Sequence, residues 1–184
     1  MYRTNYACKQ IWRLLTPDVA AGAGNDFFDL FNGTSATADT GNRIIVGSVK
    51  VIVAGDVAVT GALAVNLHLH KTTAVGTGGT AATVQGTVNT AATISSVTPD
   101  PGALPAGLTA RLEPTGGATI GAWLAQTSVF PEETNAGTYV EKWLHQNNQE
   151  PIVLTQGEGL KVIQGVVASV GNLGFMVEFG ILEQ

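Results

Sequence analysis

From Phe27 onward, runs rich in Val, Ile, Thr, Phe and Leu are broken about every ten residues by Gly, Pro, Asn or Asp, and helical periodicity is almost absent. A chain written this way buries alternating strand faces rather than helix stripes, which predicts an all-β, antiparallel sandwich or barrel. Strands are expected at 26–31, 43–54, 63–72, 108–113, 119–129, 138–145, 151–155, 160–168 and 174–182, roughly eight or nine in all. In Ala64-Val65-Asn66-Leu67-His68-Leu69-His70 the apolar residues alternate with Asn66, His68 and His70, as they do in a strand covered on one face. Gln156-Gly157-Glu158-Gly159 reads as a hairpin turn in which Gly157 or Gly159 supplies positive φ, and the turn containing Gly171 follows. Those two turns would make the last three strands an antiparallel meander.

Two segments stand outside this grammar. Between Thr72 and Pro99 there is no Asp, Glu, Lys or Arg. A long neutral insertion, at about 73–107, either pairs with a neighbouring subunit or is a mobile loop. Residues 1–24 carry Tyr2, Tyr6, Ile11, Trp12, Leu14 and Leu15 and end in a joint of small residues from Ala20 to Asn25. This reads as a docking arm whose aromatic and aliphatic residues grip a neighbour, with an edge strand of its own sandwich as the alternative. On the arm reading, residues 25–184 fold without residues 1–20.

Composition narrows the function. Charged residues make up 12% of the 184, against about 25% in an average soluble domain. The net charge of -5 argues against nucleic acid, whose phosphates need clustered Lys and Arg. The longest apolar stretch, 44–67, is interrupted by Lys50 and Asp56, so no membrane span of ~20 apolar residues is expected. One cysteine, Cys8, makes neither an internal disulfide nor a cysteine zinc site.

Candidate chemistry is sparse, and neither an enzyme nor a cofactor is expected. Gly76-Thr77-Gly78-Gly79 lacks the Lys-Ser/Thr and the helix of a phosphate loop. His68 and His70 share a strand face at a spacing that can chelate one metal. No third ligand lies in the segment, so they read as a polar face, with a cupin-like metal site as a minor alternative. Glu132 and Glu133 are adjacent and point apart on an extended chain, unlike a glycosidase pair. Neither Ser128 nor Ser169 sits in a nucleophile elbow. Trp123 and Trp143 read as core, or as a glycan-stacking platform with Asn147, Asn148 and Gln149 as its polar groups.

The run Glu150-Pro151-Ile152-Val153-Leu154-Thr155-Gln156-Gly157-Glu158-Gly159-Leu160-Lys161-Val162, with Ser169-Val170-Gly171-Asn172-Leu173-Gly174-Phe175-Met176-Val177-Glu178-Phe179, resembles the end of small virion proteins of tailed bacteriophages. These are the jelly-roll capsid decoration or cement proteins. Asn25-Asp26-Phe27-Phe28-Asp29-Leu30-Phe31-Asn32-Gly33-Thr34, leading into Arg43-Ile44-Ile45-Val46, is similar to their opening strands. The resemblance covers roughly 25–70 and 108–182 and implies a jelly roll that does no chemistry. It implies a structural subunit on the outside of a phage head, made in the bacterial cytoplasm, whose partners are the major capsid protein and copies of itself, often as a homotrimer. A receptor-binding or glycan-binding adhesin of a tail or head fibre is the alternative.

Overall fold

The computed structural model describes residues 10–33, 42–53, 63–84, 91–97, 104–115, 119–131, 139–142 and 151–182, with the backbone alone for 119–123 and 139–142. The described residues contain strands and no helix. The strands are β1 (Gln10–Leu15), β2 (Val19–Ala20), β3 (Asp26–Asn32), β4 (Arg43–Val53), β5 (Val65–Thr72), β6 (Thr80–Ala81), β7 (Thr83–Val84), β8 (Thr93–Ser96), β9 (Leu108–Leu112), β10 (Thr119–Val129), β11 (Tyr139–Lys142), β12 (Ile152–Leu154), β13 (Glu158–Gln164) and β14 (Asn172–Leu182). They form two sheets. The first runs β11-β4-β14-β1-β8-β7, with β12 also on β4 and β2 on β14, and the second runs β10-β5-β13-β3-β9-β6. Pairing is antiparallel throughout except between β7 and β8.

One apolar core lies between the sheets. Phe27 and Phe28 of the second sheet reach Phe175 of the first, with ring centroids 5.0 and 5.4 Å apart. Val49, Val51, Val177 and Phe179 meet Leu67, Leu69, Leu160 and Val162 in the same cluster. Each such side chain contributes about 1.5–3 kcal/mol on leaving water, and that burial pulls two half-apolar sheets together.

Several expectations are corrected. The segment expected as a docking arm is part of the first sheet over Gln10–Leu15, where β1 pairs with β14 on one side and β8 on the other. Trp12 and Leu14 point into the core, at 1% and 0% exposure, while Arg13 turns outward to Glu178 at 2.7 Å. Of the expected gripping set, Ile11 alone is well exposed, Leu15 is half-buried, and Tyr2 and Tyr6 lie outside the described residues. The boundary at residue 24 therefore separates strands of one sandwich.

The neutral insertion, over its described parts, is folded into the sandwich. Thr80–Ala81 pairs with β9, and Thr93–Ser96 pairs with β1, extending both sheets on one flank. Small Ala and Thr side chains give these short strands little contrast between faces, so periodicity does not mark them.

The last three strands are not a meander. β12 lies in the first sheet on β4, β13 in the second between β3 and β5, and β14 in the first between β4 and β1. Residues 155–157 therefore connect the two sheets instead of closing a hairpin. Gly157 has φ +79° and Gly171 φ +113°, whereas Gly159 belongs to strand β13 and lies outside the left-handed region. Turn chemistry is local, but the sheet that receives each strand is chosen by distant partners.

Candidate functional site: an uncharged apolar end of the sandwich

Connections from four parts of the chain gather at one end of the sandwich. Ala21 N–H donates to Gly171 O at 2.8 Å, Gly24 N–H to Gly165 O at 3.2 Å, and Gly22 N–H to the Gln164 side chain at 2.7 Å. Ser169 Oγ donates to Leu63 O at 2.7 Å and accepts from Leu63 N–H at 3.2 Å, which brings the start of β5 to the same place. A side chain at Gly171 would press on Pro131, so the end of β10 is there too.

These connections present large apolar side chains to water. Val166 is 91% exposed, Phe130 60% and Leu63 54%, and Val167 and Val170 are exposed as well. Scattered apolar residues are ordinary on a surface, but five on adjoining connections form a patch of the kind that marks a protein contact. Among the described residues of this end, 165–171 and 130–131 contain no charged residue; Glu132 and Glu133 follow Pro131 in the sequence and lie outside the described residues. Interface cores show the same depletion. The sequence carried a signal for this end that strand-reading overlooks: Gly165-Val166-Val167-Ala168-Ser169-Val170-Gly171 is apolar where a turn should be polar.

A polar cluster crosses the outer face of the second sheet. Arg111 of β9, Asp29 of β3, Lys161 of β13 and His70 of β5 stand opposite one another in register. Lys161 Nζ lies 3.0 Å from Asp26 Oδ2, and both side chains are largely buried. The chain after β5 straps across the row: Gly76 N–H donates to Asp29 Oδ2 at 2.7 Å, and Arg111 Nη1 donates to Gly78 O at 2.8 Å. His68 and His70 lie edge to face, with ring centroids 6.3 Å apart. Burial, then the neighbouring His68 and Lys161 charges, lower the His70 pKa. Among the described residues no group of three His, Cys, Asp or Glu could hold a metal ion.

Burial pushes the Asp29 carboxyl above its ordinary 3.8, and the Gly76 hydrogen bond and Arg111 offset only part of that rise. A raised folded-state pKa means that the folded chain holds the proton more tightly than the unfolded one. Asp29 therefore weakens folding once pH exceeds its folded value, and that cost vanishes below the unfolded value. Asp29→Asn keeps an acceptor for Gly76 and removes the charge. It is expected to raise the melting temperature at pH 7, with the gain disappearing below about pH 4 in a thermal-melt series. A gain that persisted at acid pH would mean that ionisation of Asp29 is not its cause.

The glycan-platform residues are not brought together by any described geometry. Trp123 is in β10 but its side chain lies outside the described residues, as do Trp143, Asn147, Asn148 and Gln149. Set against family models, curated proteins and solved structures, the chain matches none.

Proposed function

We propose that this chain is a structural virion subunit, a decoration or cement protein on the outside of a phage head, and that its sandwich is a jelly roll. Support for the jelly roll is the alternation of strands between sheets. β1 lies in the first sheet, β3 in the second, β4 in the first, β5 and β10 in the second, β11 and β12 in the first, β13 in the second and β14 in the first. Two interleaved Greek keys produce that alternation, and jelly rolls of this kind serve as viral capsid and lectin domains. On this reading β6 to β9 are an insertion that widens both sheets on one flank.

The observation that carries the function is the exposed apolar end around Phe130 and Val166. A subunit whose task is attachment needs a surface that a neighbour desolvates, and apolar side chains cost less to bury than charged ones. Its partners on this reading are the major capsid protein and copies of itself, and it performs no chemistry.

The test is co-sedimentation of the purified protein with undecorated capsid shells of the phage that encodes it. Wild-type protein is expected to pellet with the shells. Val166→Asp should melt as wild type does, because that side chain is 91% exposed, and should stay in the supernatant. Wild-type protein that leaves the shells bare, or a variant that binds them equally well, overturns the proposal.

A further inference from the structure

The two sheets have four lateral edges among the described residues, and three are blunted. The second sheet ends at β6 and the first at β7, each two residues long. The first sheet's other edge is β11 and β12, four and three residues long, and β11 carries Glu141 and Lys142. Short strands and charges are how sheets avoid pairing with other chains.

β10, at the remaining edge, has neither device. It is 11 residues long and, among the described residues, pairs with β5 alone. From Thr119 to Phe130 there is no charged residue and no proline. Its register shifts between Ile120 and Ala125, and such a bulge twists the first half of an edge away. From Ala125 to Val129 the pairing with β5 is regular, from Ala125 opposite Leu69 to Val129 opposite Val65. Ala125 and Thr127 face inward opposite the fully buried Leu69 and Leu67, yet are themselves only half-buried, so this flank is open to water. The outward backbone groups of 125–129 meet no strand among the described residues.

We infer that residues 125–129 of β10 pair antiparallel with the same residues of a second copy about a two-fold axis, joining the two outer-edge sheets into one. Self-complementarity selects this occupant. A two-fold pair sets like side chains near like, which a charged strand resists and this one does not. With Thr127 on the axis, Gln126 faces Ser128 of the second copy and Ala125 faces Val129, so polar groups meet on the outer face and small apolar ones on the inner. One such pairing satisfies both open edges and leaves none to propagate. In this register Phe130, which follows Val129, comes opposite Leu124 of the second copy, so the pairing adjoins the sandwich end, and self-association and shell binding are read by separate measurements.

Sedimentation velocity over a wide concentration range, beside thermal melts, tests it. The expected species is a dimer. Gln126→Lys with Ser128→Lys, at exposed positions, should weaken the dimer by about tenfold or more while leaving the melt of the monomer unchanged. Mixing that variant with Gln126→Glu and Ser128→Glu should restore dimers as a mixed pair, which a change in folding alone would not do. A wild-type monomer, a trimer, a lysine variant that dimerises as tightly as wild type, or a mixture that fails to pair overturns the inference.

Discussion

Trp12→Ala is expected to lower the unfolding free energy by about 3–5 kcal/mol, the usual cost of emptying a buried indole site. For a chain of this size that is roughly 10 °C in melting temperature. The indole is 1% exposed in the core between the sheets, and its strand is hydrogen-bonded on both sides, to β14 and to β8. Deleting residues 1–20 should therefore unfold the sandwich, because it strips partners from both β14 and β8 and opens the core. Circular-dichroism melts of the substitution and of the truncated chain measure both effects. A truncated chain that melts cooperatively near the wild-type temperature would restore the detachable arm and remove β1 from the core.

Gly157 and Gly159, two residues apart, should respond differently to valine. At Gly157 a β-carbon would have nothing within 4 Å, but φ is +79°, so Gly157→Val is strained by its backbone alone and should cost about 1–2 kcal/mol. At Gly159 the backbone belongs to a strand, but a β-carbon would strike Thr72 Oγ1, lie 2.7 Å from Phe31 Cδ2 and 2.9 Å from Leu30 O. The backbone oxygen cannot swing aside as a long side chain can, so Gly159→Val should cost about 3 kcal/mol or more, at the upper end of overpacking penalties. Chemical denaturation of both variants checks the order. Equal losses, or a larger loss at Gly157, would show that close approach of β13 to β3 and β5 is not what demands glycine at 159.

Acid should weaken the fold through other carboxylates. Burial alone would raise Glu178, but Arg13, Lys50 and Ser48 outweigh it and hold it below its ordinary 4.5. Burial acts the same way on Glu158, where Thr155 and Lys71 prevail. A depressed folded-state pKa contributes stability above the unfolded value and loses it as pH falls through the folded one, the opposite sign to Asp29.

Strands that carry their own contrast were legible from residue order. β5 sets Val65, Leu67 and Leu69 against Asn66, His68 and His70, β4 sets Val49 and Val51 against Ser48 and Lys50, and β14 sets Phe175, Val177 and Phe179 against Gly174, Met176 and Glu178, a period that depends on nothing beyond the strand itself. The left-handed turn at Gly157 is local for the same reason. Tertiary structure alone decided which sheet received β12, β13 and β14, since the ladder partners of Ile152, Leu160 and Val177 lie at Val46, Leu30 and Val49, about a hundred residues or more away. It also decided that Trp12 and Leu14 are core. A lone strand with apolar Ile11 and Leu15 on its other face looks like an arm until β14 and β8 are beside it. The uncharged end belongs with these non-local features: Phe130 and Val166 are unremarkable apart, and only the closing of the two sheets sets them at one end, in water. Periodicity registers what one segment buries, whereas an exposed patch or an open edge is defined by the segments that fail to cover it.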